Sequence, residues 1–125
     1  MVTGKQQRIV IATDGSGPAQ DALATALKFP WPASSRVRAI VARFPWPPPE
    51  SEHARAAVAR SFEAAAAAAR RALKRRWPGS RVVVVDAPPV DAILAEAERF
   101  EASLIVLGWR GHGVFRRLRC SCARR

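Results

Sequence analysis

The order of elements predicts an α/β domain: an open parallel sheet with helices on both faces. Two observations carry this. Short β-branched runs alternate with alanine-rich amphipathic segments, in the order β-α-β-α-β-α-β. Each run also ends in a turn bearing glycine, proline or aspartate. Alternation of this kind implies parallel strands joined by right-handed crossovers. The 125 residues suit one domain, 1–125, against a prior of about 100–200 residues per domain.

The first strand is Arg8 to Thr13, stopping at Asp14-Gly15-Ser16. Pro18 suits the first turn of a helix over 18–28, where Ala19, Ala22, Leu23, Ala26 and Leu27 recur at helical spacing. Pro30-Trp31-Pro32 ends it. Arg36 to Phe44 reads as a second strand, followed by the stiff loop Pro45-Trp46-Pro47-Pro48-Pro49. Ser51 is placed to cap a helix over 52–76, whose basic last turns suit the negative end of the helix dipole. The run Ala64–Ala69 inside it favours helix, not disorder.

Pro78-Gly79 separates this helix from a third strand, Arg81–Val85, apolar enough to be central or parallel. Val90 to Phe100 is a third helix with Ile93, Leu94, Ala97 and Phe100 on one face. Leu104–Leu107 is the fourth strand, opening into Gly108-Trp109-Arg110-Gly111-His112-Gly113. Val114 to Arg125 reads as the start of a further helix.

Composition narrows the functional classes. An apolar fraction of 49% and a charged fraction of 25% are those of a globular protein. No apolar run of about 18 residues is present, which excludes a membrane-spanning helix. The polar start, Met1 to Arg8, lacks the pattern of a signal peptide. Two cysteines, Cys120 and Cys122, form no disulfide framework, so a cytoplasmic location is expected. They also fall short of a zinc site, and no metal site is assigned. The net charge of +11 favours anionic partners, although the arginine-rich, lysine-poor balance is also what GC-rich coding produces.

In open parallel sheets, ligands bind beyond the carboxyl ends of the strands. Asp14-Gly15-Ser16 and the turn from Gly108 to Gly113 both lie there. Glycines permit close backbone approach, and amides at a helix start attract anions, so the pair suggests a nucleotide. Neither the phosphate-loop pattern nor the dinucleotide fingerprint is present.

Thr13-Asp14-Gly15-Ser16 before a helix, and the stretch Ala102 to Gly113, resemble the universal stress protein family. The resemblance runs from Arg8 to about Leu118 and implies a flavodoxin-like, Rossmann-like fold. It implies a role in stress response with ATP as ligand. Asp14 would face the ribose, with Ala12 and Thr13 beside it. Val41 or Ala42 would lie near the adenine, and Gly108, Arg110, Gly111 and Ser121 near the phosphates. The family pattern after strand four is G-x2-G-x9-G-[ST]. Here Ser121 or Cys120 stands where the third glycine belongs. The resemblance also implies a fifth strand, which helps form the family's homodimer and is missing before Arg125. The chain then reads as C-terminally truncated, and strand four as an uncovered edge.

Each candidate has a plainer reading. Asp14 can be a turn former, Gly108 and Gly111 residues of positive φ, and Ser16 a helix cap. His112 has no identifiable catalytic partner and reads as a solvated loop residue. Trp31, Trp46 and Trp77 read as packing over loop ends, and Trp109 is the exception, since it lies inside the glycine loop. Nothing positions a water for hydrolysis, so binding is expected rather than turnover. Two alternatives stand beside it. One is a protein-interaction module without nucleotide. The other, less favoured, is nucleic-acid binding through the basic residues that follow Glu101.

Overall fold

The first strand, β1 (Arg8–Ala12), sits inside the sheet with neighbours on both edges, and Ile9, Val10 and Ile11 are fully buried. The computed structural model of the protein describes residues 6–45, 47–108 and the backbone of 119–120. The next elements are α1 (Gly17–Lys28), β2 (Arg36–Ala42), α2 (Glu52–Arg76) and β3 (Arg81–Val85). They are followed by α3 (Pro89–Phe100), β4 (Leu104–Leu107) and the short β5 (Arg119–Cys120). The strand order is β3-β2-β1-β4-β5. Strands β3, β2, β1 and β4 are parallel, in the register Ile9↔Val37, Ile9↔Leu104 and Ala39↔Val82. The result is an open sheet with helices on both faces, with four parallel strands among the described residues.

Alternation along the strands divides the core in two. On one face Ile9, Ile11, Val37, Ala39 and Val106 pack with Ala22, Leu23 and Ala26 of α1 and Leu73 of α2. On the other, Val10, Ala12 and Ile40 meet Ala92 and Phe100 of α3. The small residues of α1 and α2 let both helices lie on one side. Trp31 and Trp77 pack against the edge of that cluster, and the Trp31 indole donates to the Ala26 carbonyl at 2.8 Å. Trp46 and Trp109 lie outside the described residues. Arg76, in the last turn of α2, donates to the carbonyls of Leu27 and Phe29 at 2.7 Å each. It thereby satisfies the open end of α1.

β3 is parallel, one of the two placements expected of so apolar a run, and is the outer strand, with Val82–Val85 only partly buried. Three expectations are corrected. Leu94 does not belong to the buried face of α3: it is 57% exposed, whereas Ala92, Glu96 and Phe100 turn inward. The cause is Arg38 of β2, which draws the Glu96 carboxylate in at 2.6 Å. Arg119–Cys120, expected in a helix, is a strand antiparallel to β4, pairing Leu104↔Cys120 and Ile105↔Arg119. The edge of β4 is therefore partly covered. Open N–H and C=O groups on a sheet edge offer backbone partners that compete with helix formation.

At the carboxyl ends of β2 and β3, Arg43 and Asp86 form a two-pronged ion pair at 2.5 and 2.8 Å. The guanidinium holds the Asp86 carboxyl below the usual carboxylate range. What this exposed pair contributes is present above about pH 4, the ordinary Asp value, and fades as acid protonates Asp86.

Candidate functional site

The sheet order reverses between β1 and β4, since β2 and β3 lie on one side of β1 and β4 on the other. Such a switch point opens a crevice at the carboxyl ends of the strands. A cleft of about 190 Å³ lies there, lined by the ends of β1, β2 and β4 and the first turns of α1 and α3. Of the predicted residues, Ala12, Thr13, Asp14, Ala42 and Gly108 line it. Val41 does not: it is fully buried, and alternation turns it to the opposite face of the sheet. Arg110, Gly111 and Ser121, and with them His112, lie outside the described residues.

The polar side of the cleft is built by local hydrogen bonding. Thr13 is held by its N–H donating to the Ile40 carbonyl at 3.0 Å, and its hydroxyl accepts from Gly15 N–H at 3.2 Å. Asp14 Oδ1 accepts from Ser16 N–H at 2.9 Å, the turn-forming role open to Asp at a strand end. Its other oxygen, Oδ2, has no bond among the described residues and retains acceptor capacity. Gly15 takes φ 85°, and a Cβ there would lie 3.1 Å from the Ala65 Cβ of α2. Both facts select glycine.

Ser16 is the N-cap of α1, its hydroxyl accepting from Ala19 N–H at 3.3 Å. Ser16→Ala is expected to cost about 1 kcal/mol of stability. Urea unfolding would show it as a lower midpoint at constant slope.

Gly108 is required for a reason the sequence reading missed. It does not have positive φ. Instead, a Cβ on Gly108 would collide with the Pro18 carbonyl group and lie 2.7 Å from Ala19 N. The start of α1 rests directly on the end of β4.

The apolar side consists of Ala42, Ile40, Ile93, Pro89 and Leu107. None except Ala42 was anticipated. The available signal was Pro88-Pro89 at the carboxyl end of β3, which sets the entry of α3 at the cleft. The site thus combines apolar side chains with an acceptor carboxylate. Among the described residues, no group of three or more His, Cys, Asp or Glu side chains could hold a metal ion. Nor is any described helix long and apolar enough to cross a membrane.

Residues 6–125 match the universal stress protein family. The chain belongs to that family. No curated protein matches it. Solved universal stress proteins share its fold. One from Burkholderia pseudomallei is 25% identical, with a TM-score of 0.60 over 82% of this chain and 81% of that one. A second, described in complex with cAMP, is also 25% identical, with a TM-score of 0.56 over 81% and 75%. UspA from Lactobacillus plantarum, at 22% identity and a TM-score of 0.56, covers 86% of this chain and 79% of its own. In parallel α/β folds the crevice lies at the carboxyl ends of the strands where the order reverses, and here Asp14 and Gly108 both line it.

Proposed function

We propose that this universal stress protein binds an adenine nucleotide in the β1–β4 cleft and acts as a regulatory domain in stress response, binding its ligand without turning it over. The observation that carries the reading is the juxtaposition of Asp14, with an unused carboxylate oxygen, and the apolar wall of Ala42, Ile40 and Ile93. A carboxylate oxygen can accept a hydrogen bond from a ribose hydroxyl, and an apolar lining suits a purine.

The size is informative. About 190 Å³ is below the roughly 300–1,000 Å³ of most ligand pockets. It suits the nucleoside portion, leaving the phosphates to extend past Gly108. The similarity to a universal stress protein in complex with cAMP supports the same ligand class.

Isothermal titration with ATP and with cAMP tests this. Saturable binding is expected, with Asp14→Ala weakening it roughly tenfold, the loss of about 1.4 kcal/mol from one charge-assisted contact. Undetectable binding of both nucleotides at millimolar concentration, in folded protein, rejects the reading.

A further inference from the structure

A second cleft, at the opposite end of the strands, is built from arginine. β2 and β3 begin alike: Ser35-Arg36-Val37 and Ser80-Arg81-Val82. Each follows a tight turn, closed by Ser35 N–H donating to Pro32 O at 3.0 Å and Ser80 N–H to Trp77 O at 2.8 Å. Between the turns lies a cleft of about 380 Å³ lined by Ser35, Arg36, Arg38, Arg76, Trp77 and Arg81, among others. Among the described residues, no aspartate or glutamate lines it. Its volume falls within the range of small-molecule sites.

The four guanidinium groups differ in how they are compensated. Arg38, which sits opposite Arg81 in the β2–β3 register, is matched by Glu96 at 2.6 Å. Arg76 is held by two neutral carbonyls and stacks on Trp77 at 4.7 Å. Arg36 and Arg81 are exposed and have no carboxylate partner among the described residues. Like charges gathered without counter-charge repel one another, and a bound anion relieves this.

The Ser35 hydroxyl is an independent sign. The residue is 7% exposed, and its Oγ has no hydrogen-bond partner among the described residues. Buried polar atoms rarely go unpaired, and those that do mark an absent partner or a functional site.

We propose that this cleft takes a small phosphate-bearing anion, clamped by Arg36 and Arg81 and hydrogen-bonded by the Ser35 hydroxyl. Guanidinium forks match phosphate oxygens two at a time. A concave site between two turns favours a small anion. A nucleic-acid backbone would follow the exposed strip of Arg70, Arg71, Lys74 and Arg75 along α2. The proposal is independent of the nucleotide cleft, which lies at the other end of the sheet.

Titration with inorganic pyrophosphate at about 0.15 M salt tests it. One saturable site per chain is expected. Arg36→Gln combined with Arg81→Gln should weaken binding roughly tenfold or more. Ser35→Ala should weaken it several-fold, and Asp14→Ala should leave it unchanged. Circular dichroism confirms that each variant is folded. Absent binding, or binding that survives the double arginine variant, overturns the proposal. So does loss in Asp14→Ala, which would move pyrophosphate to the nucleotide cleft. Displacement by a DNA duplex whose binding depends on Arg70 and Arg71 but not on Ser35 would assign the surface to nucleic acid instead.

Discussion

Gly108→Val is expected to lower stability by about 3 kcal/mol, at the upper end of the usual cost of overpacking. The reason is where the new atom falls. A Cβ at this position meets the Pro18 carbonyl and lies 2.7 Å from Ala19 N, both backbone atoms of the first turn of α1. Backbone cannot rotate aside as a side chain can. Relief requires α1 to lift off β4, which would open the core between Ala22, Leu23 and Val106. Because the Cβ itself is in conflict, Gly108→Ala should lose nearly as much. Urea unfolding of both variants measures this. If alanine at 108 matches the unaltered protein in midpoint, the close approach of α1 to β4 is wrong.

The second large effect is expected at Arg38. Glu96 is 1% exposed, and its carboxylate is held by Arg38 at 2.6 Å and Arg99 at 2.7 Å. Arg38→Ala leaves that carboxylate buried with only the largely exposed Arg99 beside it. It also removes the guanidinium stacked on Phe100 at 4.5 Å. Breaking one side of a buried pair typically costs about 3–5 kcal/mol, and the retained Arg99 argues for the lower figure, about 3. Replacing both partners with apolar groups, Arg38→Met with Glu96→Leu, should recover most of the loss, because desolvation of the two charges disappears with them. Thermal or urea unfolding of the single and double variants decides it. A single variant within about 0.5 kcal/mol of the unaltered protein would mean that the pair contributes nothing beyond an ordinary surface contact.

The two effects separate what was legible from what was not. The strand at Arg81–Val85, the helix over 52–76 and its Ser51 cap could be read from local spacing and turn chemistry, and the structure has them at the same residues. Asp14 and Gly108 were legible as a pair because topology brings the ends of β1 and β4 together. The apolar wall of the same cleft was not, since Ile93 and Leu107 look like any core residues. Glu96 was overlooked because a glutamate on a helix is normally solvated, and nothing near it in sequence announces Arg38. Of Val41 and Ala42, the two offered for the adenine, Ala42 lines the cleft, and Val41, one residue away in a strand, faces the other side of the sheet.

Local periodicity therefore settles the element order, and with it an open parallel sheet covered on both faces, because helix and strand patterns need only neighbouring residues to be expressed. The outer position of β3, the packing of Pro18 on Gly108, the burial of Glu96 by Arg38 and the pairing of Arg38 with Arg81 all join residues far apart in the chain. Such contacts exist once the sheet has chosen its order and register. They depend on which side chains that choice brings into one low-dielectric space, a property no single segment carries.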